Sequence, residues 1–196
     1  MDKIKSAYEM AMERFQQRDA VSREEIDRME SVPLGKAMAA TFLRESGYDL
    51  VAEIGKQPEE KRAYIIKGIQ ETLINNIQLP IDKIAVEMTQ KSMTGLLITT
   101  ENKAAVAEVY ELFKNLFTYY EQMLNQTFNQ MKDVFRKKIM ETAKKIGNTE
   151  ITEQSIEPER YSGFREEWLR ARANLNDKYQ GILKEQKEKL KEIINN

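Results

Sequence analysis

From Glu101 to Ile146 the chain contains no proline and no glycine, and apolar residues recur through the whole stretch at steps of three and four. A run of this kind is compatible with one structure, a single amphipathic helix of roughly 45 residues and roughly 70 Å at 1.5 Å per residue. Val106, Val109, Tyr110, Phe113, Leu116, Phe117, Tyr120, Leu124, Phe128, Met131, Phe135, Ile139, Ala143 and Ile146 share its broad apolar face. Thr99 or Thr100 is expected to cap its start and Gly147-Asn148 its end. A kink, if one exists, belongs in the polar stretch Asn125 to Gln130.

A helix this long needs cover. After a polar link over Thr149 to Glu157, a last helix is expected from about Pro158 almost to Asn196, with Tyr161, Phe164, Trp168, Ala171, Leu175, Tyr179, Ile182, Leu190 and Ile193 at near-heptad spacing. Two long amphipathic helices joined by a short link pack most economically as an antiparallel hairpin.

Shorter helices precede the hairpin. Ile4, Ala7, Tyr8, Ala11, Met12 and Phe15 mark a first. Ser22 with Glu25 reads as a capping box opening a second, which Pro33 is expected to end. A third covers Leu34 to Leu43, with Gly47 in the left-handed conformation past its end. A turn of helix surrounds Leu50 to Ile54. Pro58, Glu59 and Glu60 make a good first turn for a fourth, which carries Tyr64, Ile65, Ile69, Leu73 and Ile77 and in which Gly68 reads as a point of close helix packing. A fifth runs from Pro80 toward Met93, and Gly95 to Thr100 is left between a fraying helix end and an extended connector. The fold class is therefore all-α: a base of about five helices over residues 1–100, and a hairpin over 101–196 with its proximal half in the base and its distal half, about 131–175, projecting as a coiled-coil-like arm.

The long helix has one further feature. Between Val109 and Leu124 its apolar residues come as adjacent pairs, Val109-Tyr110, Leu112-Phe113, Leu116-Phe117, Tyr119-Tyr120 and Met123-Leu124. A single partner helix covers a narrow stripe, so paired positions imply burial against two or more neighbours.

Composition excludes much chemistry. The chain has no histidine and no cysteine, which removes disulfides, thiolate zinc sites, cysteine nucleophiles, Ser-His-Asp triads and haem ligation through these residues. Di-metal bundles use Glu-x-x-His, and acidic pairs such as Glu9 with Glu13 and Glu108 with Glu111 lie off the apolar stripes, as solvated helix faces do. The eight glycines form no phosphate-binding run. Catalytic, cofactor-binding and metal residues are accordingly none, and no small molecule is indicated. With 31 basic and 32 acidic side chains, no partner of strong opposite charge is implied. Neither a signal peptide nor a membrane span is expected, and the cytoplasm is the expected compartment.

Three functions from different classes remain. The leading expectation is a non-enzymatic interaction or scaffolding protein, self-associating or bound to another protein, with Phe135, Phe164 and Trp168 on the arm as candidate interface residues because one helix cannot cover an indole there. The second is binding of nucleic acid or an anionic membrane through Arg136, Lys137, Lys138, Lys144 and Lys145, a reading that neighbouring glutamates disfavour. The third is an enzyme or small-molecule carrier using a bundle cavity.

Overall fold

The computed structural model describes residues 22–147 and 152–195. Six α-helices make up this part: α1 (Arg23–Arg44), α2 (Leu50–Gly55), α3 (Glu59–Asn75), α4 (Lys83–Thr99), α5 (Lys103–Lys145) and α6 (Phe164–Asn195). Two 3-10 turns, Glu153–Ser155 and Pro158–Arg160, lie between α5 and α6. No strand occurs among the described residues. The helix expected over Ile4 to Phe15 falls outside them. Contacts divide the chain into two compact units, Met1–Ile69 and Gln70–Asn196, with the boundary inside α3.

In the first unit, Ser22 caps α1 as its sequence position predicts, its Oγ accepting from the Glu25 N–H at 3.1 Å. Pro33 does not end the helix. The two helices expected on either side of it are one continuous α1, with Pro33 on the exposed face, where the Met29 carbonyl that loses its intrahelical donor can be hydrated. Ser31, Gly35, Met38, Ala39 and Leu43 are buried on the other face, and burial of that continuous face outweighs the proline penalty. Gly47 takes the left-handed conformation, with φ 88°.

The α1–α3 contact is a backbone-on-backbone approach. A methyl group at Gly35 would overlap the Ile65 carbonyl, and one at Gly68 would overlap the Val32 carbonyl. Glycine at both positions lets the helices close to a separation that any side chain would forbid. Lys61 then reaches across to Glu30 at 3.0 Å and Asp27 at 3.3 Å. Arg62 closes the end of α2, donating to the Gln57 and Gly55 carbonyls at 2.8 Å each.

In the second unit, α4 starts at Lys83 rather than Pro80 because Asp82 provides the cap, accepting from the Ala85 N–H at 2.8 Å. It continues through Thr99, so Gly95 to Thr99 is helix. The loop before it is pinned by the buried Thr89 hydroxyl, which accepts from the Gln78 N–H at 2.9 Å and donates to the Gln78 carbonyl at 3.2 Å.

The long helix α5 is unbroken over 43 residues. Its cap is Asn102, whose Oδ1 accepts from the Ala105 N–H at 3.3 Å, and neither Thr99 nor Thr100 plays that part. The reason is that Thr99 still belongs to α4, its hydroxyl donating back to the Gly95 carbonyl at 3.0 Å, and Thr100 is α4's own C-terminal cap position. At the far end Gly147 is left-handed, with φ 72°. The last helix begins later than expected. Pro158 opens a 3-10 turn, and Gly163 at φ 86° separates it from α6.

Helices α5 and α6 form the antiparallel hairpin. The Tyr120 ring meets Tyr179 edge-on at 5.4 Å, Phe128 meets Trp168 at 4.9 Å, and Phe135 meets Phe164 at 5.1 Å. Partners on α6 descend as those on α5 ascend, which fixes the direction. Helix α4 packs on the proximal part of α5, where the Tyr110 hydroxyl donates to the Met93 carbonyl at 2.6 Å.

Candidate interaction surface

The aromatic residues named from sequence lie largely inside the hairpin. Phe135 and Phe164 are buried, at 6% and 3% exposure, and Phe128 stacks edge-on against Phe164 at 5.8 Å as well as against Trp168. Four rings thus interlock between α5 and α6. The indole of Trp168 is half-buried beside Phe128, so much of the cover it needs comes from its own hairpin.

The basic residues divide in a similar way. Arg136 pairs with Asp133 at 2.8 Å, and the Lys138 ammonium lies 5.1 Å from the centre of the Phe135 ring. Lys137, Lys144 and Lys145 are exposed, and no ion pair joins them to another described residue. Lys144 and Lys145 sit in the last turn of α5, where the helix dipole favours a cation. Close by, Lys132 binds Glu159 at 2.6 Å, which holds the Glu159 carboxyl below its ordinary range.

The paired apolar positions of α5 separate into two classes that periodicity alone does not distinguish. Phe113, Leu116 and Tyr120 are buried. Beside them, Leu112 is 45% exposed, Tyr119 62% and Met123 37%, and Val134 further along is 50% exposed. These four follow one another at steps of seven, four and eleven residues. At 3.6 residues per turn they fall within about 60° of arc, a stripe along one flank of the helix. In Leu112-Phe113 and Tyr119-Tyr120 the fold covers one residue and leaves the other in water, Met123 is exposed beside a half-buried Leu124, and Val109-Tyr110 is buried whole. The exposed flank is the feature that periodicity does not reveal.

Tyr120 and Tyr119 show the division most plainly. Tyr120 is wholly buried, and its hydroxyl donates to Asn176 Oδ1 at 2.7 Å. Burial pushes its ionisation up, as it does more strongly for Tyr110. The next ring along the chain, Tyr119, projects from the flank with no hydrogen-bonding or ring partner among the described residues.

Open grooves exist elsewhere in this unit. One of about 370 Å³ runs between α4 and α5, lined by Pro80, Val86, Met93, Thr94, Lys114 and Phe117 among others. Another of about 430 Å³ lies near the end of α5 beside Phe135, Ile139, Ala143, Ile146 and Tyr161. Neither holds a cluster of titratable groups. Among the described residues no three carboxylates converge as a metal site would require, and Glu108 and Glu111 are both solvent-exposed on α5. Glu9 and Glu13 lie outside the described residues. No described helix is long and apolar enough to cross a membrane.

No curated protein and no solved structure matches the chain. One family model does, over residues 51–192, a span that takes in α2 through nearly all of α6. The chain therefore belongs to a family of unknown function, DUF6657.

Proposed function

We propose that this protein is a non-enzymatic helical interaction protein that associates with itself, and that the flank of α5 carrying Leu112, Tyr119 and Met123 is its working surface. One observation carries the reading. In the adjacent pairs Leu112-Phe113 and Tyr119-Tyr120 of α5 the protomer buries one residue and leaves its neighbour exposed, and Met123 stands exposed on the same side of the helix. Large apolar side chains aligned on a helix flank have a hydration cost that a partner surface removes, at about 25 cal/mol per Å² of apolar area covered. A long rigid helix presents such a stripe without having to order itself on binding, which lowers the entropic cost of association.

In this reading the interface lies on α5 and not on the Phe135, Phe164 and Trp168 cluster, whose rings are already engaged with one another and with Phe128. The cytoplasm is the compartment that suits it, given a charge-rich chain without cysteine.

Light scattering on the purified chain tests the reading. The wild type is expected to show a mass above that of one protomer. L112E/Y119E, which places two carboxylates on the flank without touching a buried residue, is expected to return the protomer mass with unchanged helix content. A wild type that stays at the mass of one protomer at every concentration would exclude self-association.

A further inference from the structure

The charges at the two ends of the stripe specify how two copies run. Glu108 is exposed one turn before Leu112, and Lys137 is exposed three residues after Val134. Both fall close to the line of Leu112, Tyr119, Met123 and Val134, the six residues spanning about 80° of arc at 3.6 residues per turn. The flank thus carries an acid at its proximal end, the four apolar side chains with the exposed Gln126 and Gln130 among them in the middle, and a base at its distal end. Nearby charges of α5 are tied off locally, Glu111 by Lys114 at 2.6 Å and Asp133 by Arg136 at 2.8 Å. Neither Glu108 nor Lys137 has an ion-pair partner among the described residues.

Parallel pairing of two such flanks would set Glu108 against Glu108 and Lys137 against Lys137. Antiparallel pairing about a two-fold axis passing between Gln122 and Met123 does the opposite. It sets Glu108 of each copy against Lys137 of the other, at both ends of a seam roughly 44 Å long. The same axis brings the two Met123 side chains together at the centre. Glu141, the one acid on the basic end of the flank, falls opposite Ala104 and opposes no charge. A single axis thus satisfies the Glu108–Lys137 pair at both ends of the seam and centres the apolar stripe, which self-complementary packing requires and which no feature of a generic partner would explain.

We infer that a second copy of this chain docks antiparallel on the α5 flank, in the register that pairs Glu108 with Lys137. The inference rests on the self-association proposed above and adds its direction and register.

Sedimentation equilibrium on charge-swapped variants tests it. E108K and K137E each turn two attractive contacts per dimer into two repulsive ones, and each is expected to raise the dimer Kd about tenfold. E108K/K137E restores opposite charges across the seam and is expected to bring the Kd back to within about twofold of wild type. Because the chain has no cysteine, single cysteines report direction cleanly. A mixture of E108C and K137C chains treated with a short bismaleimide is expected to cross-link, whereas E108C alone is not. If the wild type is dimeric but E108C cross-links to itself, or the double swap is as weak as either single change, the register is wrong and self-association stands. If the wild type is monomeric throughout, another occupant covers the flank, and both proposals fall.

Discussion

The Tyr120 hydroxyl donates to Asn176 Oδ1 at 2.7 Å across the hairpin, inside a ring contact with Tyr179 at 5.4 Å. This is a polar bond closed off from water on the α5 side, since Tyr120 has no exposed surface. Y120F keeps the ring contact and removes the donor, leaving a part-buried amide oxygen without its partner. We expect a loss of about 1 kcal/mol in urea unfolding. No loss would mean that the bond is replaced by water at no cost.

The glycines of α1, α3 and α6 call for opposite outcomes. G68A pushes a methyl group into the Val32 carbonyl, a backbone atom that cannot swing aside, and is expected to destabilise by about 2 kcal/mol or more. G181A in α6 meets nothing within 4 Å and removes the flexibility of a mid-helix glycine, so a gain of about 0.5–1 kcal/mol is expected. Chemical unfolding of both variants checks the pair. Equal effects would contradict the close approach of α1 and α3.

Lys187 gives the fold a pH dependence. Its ammonium donates to the Asn75 carbonyl at 3.1 Å, yet burial, with Lys191 adding repulsion, lowers its pKa from the usual 10.5 to about 8. The folded chain therefore binds fewer protons at this site than the unfolded chain between those two values. The stability penalty is fully present below about pH 8 and is relieved as pH rises through 10.5. Thermal unfolding is expected to show the wild type gaining on K187M over that interval. Parallel pH profiles would place Lys187 in solvent.

Much of this architecture is legible in the sequence because its signals are local. Forty-odd residues without a helix breaker give α5, Ser22 gives the start of α1, and Gly47 and Gly147 occupy the left-handed positions their places in the sequence predict. Gly68 reads correctly as a packing point, though its companion Gly35 does not stand out, since their complementarity exists only once α1 and α3 cross. Pro33 misleads because the cost of a proline depends on which face of the helix carries it. The start of α6 is displaced for a similar reason. Pro158 suits a 3-10 turn as well as an α-helix, and what decides is Gly163.

The exposed flank of α5, proposed above as an interaction surface, is legible in the sequence only in outline. Adjacent apolar pairs on α5 announce two faces to be covered, and both faces exist. Periodicity cannot say that this protomer covers one of them, because the neighbour that buries Tyr120 comes from Asn176 and Tyr179, more than fifty residues away. Trp168 attracts attention as a lone indole on a thin arm, yet Phe128 is already beside it.

The central claim is that the α5 flank is the surface on which copies of this chain meet, and Tyr119 reports it directly. Tyrosine nitration of the wild type, mapped by mass spectrometry across a dilution series, compares Tyr119 with Tyr161, which is exposed at 40% but lies off the flank. Nitration of Tyr119 is expected to fall steeply as concentration rises while that of Tyr161 stays constant. If Tyr119 remains equally reactive from the most dilute sample to the most concentrated, the flank is not where the copies meet.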